Sequence, residues 1–115
     1  MKKIVLATLL LFFSSFAHSS YYTAAKLLDE AESKNDIESL GSTAFISGWM
    51  RGVLVAQIAY QVTLNQPKFI CMPEELHAGI AEKIFIKYAN ENPEQLVDPA
   101  ALLLFRALKN AYPCK

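Results

Sequence analysis

The stretch from Ser42 to Leu64 sets the strongest limit on the fold, because it runs without a proline and carries, between Ala44 and Thr63, the single charge of Arg51. A segment that long exceeds an ordinary strand and lacks alternation, so it predicts a helix. At about 100° per residue, Phe45, Trp49, Val53, Ala56 and Tyr60 fall on one side, and Thr43, Ser47, Arg51, Gln57, Gln61 and Asn65 gather opposite. A lipid-embedded helix would be apolar all round, so the reading is a core helix of a water-soluble bundle. Gly48 and Gly52, four apart, fit a close approach to a neighbouring helix. The helix begins at about Ile37 or Ser42 and stops before Gln66-Pro67, since the residue before a proline is pushed out of the helical region.

Three further helices flank it. Ala24, Leu27, Leu28 and Ala31 recur at helical spacing over about Tyr22 to Ser33. A third helix is predicted to start at Pro73, with Glu74 and Glu75 complementing its N-terminal dipole and Ile80, Ala81, Ile84, Phe85 and Tyr88 as its apolar face. The polar run Asn90 to Gln95 then breaks the pattern. Asp98-Pro99 reads as an N-cap followed by proline in the first helical position. The fourth helix follows to about Tyr112 on Leu104, Phe105, Leu108 and Tyr112, with Arg106, Lys109 and Asn110 left for solvent. No alternating run has hairpin punctuation. The expected class is all-α: a small domain of four to five helices closed by one disulfide.

Lys2-Lys3, an apolar run from Ile4 to Phe13, and small residues at Ala17 and Ser19 have the order of a signal peptide, with cleavage expected between Ser19 and Ser20 and the bond after Ala17 nearly as suitable. The apolar run is about ten residues, half of what spans a bilayer. The expectation is therefore residues 1–19 as signal peptide, 20–115 as one helical domain of about 96 residues, export to the periplasm, and no membrane attachment after cleavage. The whole sequence balances 11 basic against 11 acidic residues. Losing Lys2 and Lys3 shifts this to about −2, with the two signs interspersed, so nucleic acid is not an expected partner.

Two cysteines in an exported chain are expected to pair, Cys71 with Cys114, tying the start of the third helix to the end of the fourth. A loop of roughly 44 residues corresponds to about 4 kcal/mol on the chain-entropy estimate. With His18 lost to the signal peptide, His77 is the remaining histidine, too few for a metal site. Glu74 and Glu75 are adjacent and diverge on a helix. The serines show no nucleophile elbow, and the glycines no phosphate loop. No catalytic residue, no metal and no cofactor is expected, and an enzyme is not the reading.

What is left is surface contact. The pattern Gly48-Trp49-Met50-Arg51-Gly52-Val53, then Phe69-Ile70-Cys71-Met72-Pro73, then Lys87-Tyr88-Ala89-Asn90-Glu91-Asn92-Pro93-Glu94, then Pro99-Ala100-Ala101 and Ala107 to Cys114, resembles the Rap/Tai family of periplasmic type VI secretion immunity proteins. The resemblance spans about Ser42 to Cys114. It implies a helical protein, often a homodimer, that binds a secreted peptidoglycan-hydrolase effector, typically an amidase, and occludes its active site. The turn Asn90 to Gln95, stiffened by Pro93, would offer Glu91, Asn92, Glu94 and Gln95 to that partner; the plainer alternative is a solvated connection between two helices. The competing function is a small periplasmic holdase or envelope-stress protein that binds many clients loosely. An acid-activated holdase would be expected to carry many titratable groups, and this chain is 19% charged. A structural subunit of an envelope assembly is the third reading.

Overall fold

The computed structural model describes residues 21–115, so the expected signal peptide lies outside the described residues. Four α-helices follow in order: α1 (Ala24–Glu32), α2 (Asp36–Leu64), α3 (Ala78–Glu91) and α4 (Ala100–Ala111), with a 3-10 turn at Pro93–Gln95. Among the described residues there is no strand, only an isolated antiparallel bridge between Thr23 and Pro99. The all-α, single-disulfide expectation holds.

Each helix starts or stops for a local reason. Thr23 Oγ1 accepts the Lys26 N–H at 3.2 Å and opens α1, and Asn35 Oδ1 accepts the Ile37 N–H at 2.9 Å and opens α2. α2 ends at Asn65, which takes the left-handed conformation (φ 52°, ψ 38°) that asparagine tolerates better than most residues. Gln66 N–H then donates to the Tyr60 carbonyl, and Pro67 follows.

α1 and α3 make the middle of the bundle, with α2 packed on one side of them and α4 on the other. Ala24 and Leu27 from α1, Ile46 from α2, Ala81, Phe85 and Ala89 from α3, and Leu103, Leu104 and Leu108 from α4 are fully buried. On α3 and α4 these recur at the three- and four-residue spacing of a helix face.

Four expectations need correction. α3 begins at Ala78, not Pro73: Pro73–Leu76 closes an isolated turn through Leu76 N–H to Pro73 O at 3.1 Å, and extended His77 follows. Folding back in that turn lets Met72 and Leu76 reach the core. Asp98 does not cap α4. Its carbonyl accepts the Ala24 N–H at 2.8 Å and its carboxylate takes Arg106, so Pro99 is the cap and its carbonyl accepts Leu102 and Leu103 N–H. The buried line of α2 is Ser42, Ile46, Met50 and Gln57, with Phe45, Trp49 and Val53 half-buried beside it and Tyr60 about half exposed. Lastly, a side chain added at Gly48 or Gly52 would meet nothing within 4 Å, so these glycines mark no helix contact within the chain.

Candidate partner-binding surface

The core of α2 is not purely apolar, and its polar members set the loop that follows it. Gln57 is 3% exposed, and its Oε1 accepts both the Phe69 N–H at 3.0 Å and the Ile70 N–H at 2.9 Å. This holds Phe69–Cys71 against α2 and lets the Cys71 N–H reach the Tyr112 carbonyl at 3.0 Å. Cys71 and Cys114 are bonded, with their Cα atoms 5.1 Å apart, as expected from the sequence. Higher on α2, Ser42 is fully buried and donates its hydroxyl to Glu82 of α3 at 2.5 Å, where Thr43 also donates at 3.3 Å. Tyr22 donates to Glu30, and its ring lies 4.9 Å from that of Phe45. Burial first, and then the Glu30 carboxylate, push that phenol far above its ordinary range.

The turn between α3 and α4 brings together the four residues proposed for partner contact and divides them in two. Asn92 and Gln95 point inward. Asn92 Nδ2 donates to the Tyr88 carbonyl at 2.8 Å, and Gln95 Nε2 donates to Asn92 Oδ1 at 3.4 Å. Glu91, the last residue of α3, and Glu94, inside the 3-10 turn, are exposed. The main chain is closed by Gln95 N–H to Asn92 O at 3.0 Å and Asp98 N–H to Gln95 O at 3.0 Å. It is also fastened to α1, where Ala24 and Ala25 N–H donate to Asp98 and Leu96 carbonyls at 2.8 and 3.0 Å. Two free carboxylates therefore stand on a turn whose backbone is already ordered. Beside Glu91, a groove of about 240 Å³ runs between α3 and α4, with Ile84, Ala107 and Ala111 among its lining and Lys87 and Asn110 on it.

A second surface was not read from the sequence. On the side of α2 turned away from the bundle, Ile37, Leu40, Val55, Ile58 and Val62 are exposed, Val62 at 81% and Val55 at 66%. Val55, Ile58 and Val62 recur three and four apart, as do Ile37 and Leu40 three apart near the start of the helix, with Gly48, Arg51 and Gly52 exposed between the two groups, and this spacing was the available signal. It was hidden because the opposite side of the same helix supplies the core. An exposed apolar strip of this kind is a candidate contact surface.

Among the described residues, no helix is long and apolar enough to cross a membrane, and no three His, Cys, Asp or Glu side chains gather where a cation could sit. His77 is exposed at the N-terminus of α3. The geometry offers a hydrogen-bonded turn with two exposed carboxylates. A search of curated proteins finds no match to the chain. The family model described as Rap1a immunity proteins matches residues 23–114, from the cap of α1 to the second cysteine.

Proposed function

We propose a toxin-neutralising role for this chain, which belongs to the Rap1a immunity protein family: in the periplasm it binds one secreted cell-wall-degrading effector of the peptidoglycan-amidase kind and covers that enzyme's active site. The observation that carries the reading is the family match, which takes in all four helices and both cysteines of the bridge. Membership implies a type VI secretion immunity protein, an inhibitor rather than an enzyme. Occlusion asks for a surface that keeps its shape, since ordering a loop on binding subtracts from affinity. The turn that carries Glu91 and Glu94 is ordered in advance. A carboxylate held there can form a charge-assisted hydrogen bond with a cationic or N–H-bearing catalytic group of the hydrolase.

The outward face of α2 supports self-pairing as the second contact. α2 is roughly 43 Å long at 1.5 Å per residue, and its exposed apolar residues fall in two groups, Ile37 with Leu40 at its start and Leu54 to Leu64 at its end. In a homodimer that face would be covered, while the turn at Glu91 and Glu94, carried by α3, would stay free for the effector.

The function is tested by mixing the mature chain with the products of the genes neighbouring its own and following co-elution, where a secreted hydrolase is the expected partner. A one-to-one match of chains in a shared peak is expected, weakened by Glu91→Ala with Glu94→Ala while melting is unchanged. Separate elution would overturn the reading. Retention instead of many unrelated denatured proteins would favour the holdase.

A further inference from the structure

We propose that Arg106 is the positioning residue of the contact turn, the group that holds Glu94 and its neighbours in a single arrangement before a partner arrives; this rests on the effector-contact reading of that turn. Arg106 projects from the middle of α4, and its Nη1 donates to Asp98 Oδ2 at 2.7 Å and to Gln95 Oε1 at 3.1 Å. Gln95 Oε1 also accepts the Tyr88 hydroxyl at 3.5 Å, and Gln95 Nε2 reaches Asn92 Oδ1. Asn92 in turn returns its amide to the Tyr88 carbonyl of α3. One guanidinium thus joins α4 to Gln95 in the turn, to Asp98 just beyond it and, through Gln95 and Asn92, to α3.

The main chain of the turn has hydrogen bonds of its own, and α1 fastens it from one side. Arg106 adds the tie from the α4 side, holding the Gln95 and Asp98 side chains and with them the segment between them. Glu94 sits between Pro93, whose ring restricts its own φ, and Gln95, whose amide is anchored at both ends. Anchoring Gln95 limits the movement of the backbone that carries Glu94. The Arg106–Asp98 pair is more than a third exposed on each side. Pairs this open add little to folding stability. Positioning and folding are therefore separable in this residue.

The test uses the mature full-length domain in two variants. Arg106→Met keeps the length of the stem and removes the donors; Arg106→Lys keeps the charge and a donor but not the planar fork. In Arg106→Met, amide hydrogen exchange at Gln95 to Asp98 is expected to speed up by about ten-fold, since those amides then open with a mobile turn, while α4 amides and the melting temperature stay in place. The dissociation constant for the co-eluting hydrolase should rise roughly ten-fold, as the turn is ordered only on binding. Arg106→Lys should lie between, and the same comparison is read on it if Arg106→Met lowers the melting temperature. Unchanged exchange in the turn overturns the positioning role whatever the hydrolase does. If the unaltered chain fails to bind the hydrolase, the effector reading falls, and the exchange measurement still decides on Arg106.

Discussion

Gln57 accepts two backbone N–H groups inside the bundle, so its loss should be felt well beyond one side chain. Gln57→Leu fits the space but leaves the buried Ile70 amide without a partner, and should destabilise the domain by about 2–3 kcal/mol in urea titration. Gln57→Glu keeps acceptors for both amides and should cost less than the leucine variant. The sequence placed Gln57 with Arg51 and Gln61 on the outer side of α2, because polarity alone was read as exposure. A buried glutamine that anchors the next loop has the same composition signal as a solvated one; only the path of Phe69–Cys71 tells them apart. Tyr22 carries the clearest dependence on pH. Its phenol is raised by burial, and next by Glu30, so the folded chain keeps the proton when the unfolded chain releases it near the ordinary value of about 10. The contribution is complete below pH of about 10 and fades as pH rises past it. Urea midpoints measured from pH 8 to 11 should fall more steeply for the unaltered chain than for Tyr22→Phe, which keeps the ring against Phe45.

At the level of elements, the helices were legible wherever one apolar stripe faced one neighbour. α1 and α4 came out within two residues of their ends. α3 did not, since Pro73-Glu74-Glu75 has the composition of a first turn, and what rules it out is tertiary: Met72 and Leu76 reach the core by folding back. α2 was legible as a helix but not as a helix with two apolar sides. Its outer side gives a prediction. Val55→Glu with Ile58→Glu should leave the fold intact, because both residues are exposed, and should shift light scattering from the mass of a pair to that of a single chain. The bridge gives another. Cys114→Ser frees the tail and the Phe69–Cys71 segment together, and should cost about 2–5 kcal/mol, the usual range for a native disulfide in a small secreted domain. Titration of the denatured, unreduced protein should find no free thiol.

Across the whole molecule, α1 and α3 form a central layer that carries α2 on one side and α4 on the other, so the two exposed features come to lie on different elements. The apolar strip belongs to α2, and the carboxylate-bearing turn lies between α3 and α4. That separation suits a protein that pairs with itself through one face and meets its target through another. The turn was visible in the sequence as Asn90 to Gln95. Its division into inward Asn92 and Gln95 and outward Glu91 and Glu94 was not, because it depends on Arg106 and Asp98 meeting from beyond the turn. Which residues of the turn face outward follows from such contacts rather than from local pattern. The most direct measurement is the rate at which a secreted hydrolase that co-elutes with this chain degrades purified peptidoglycan while the mature chain is titrated in. Neutralisation by occlusion predicts a linear fall to near zero at one chain per enzyme, with the end point displaced to excess chain by Glu91→Ala with Glu94→Ala. Undiminished hydrolysis at a several-fold excess of folded, disulfide-bonded chain would contradict it.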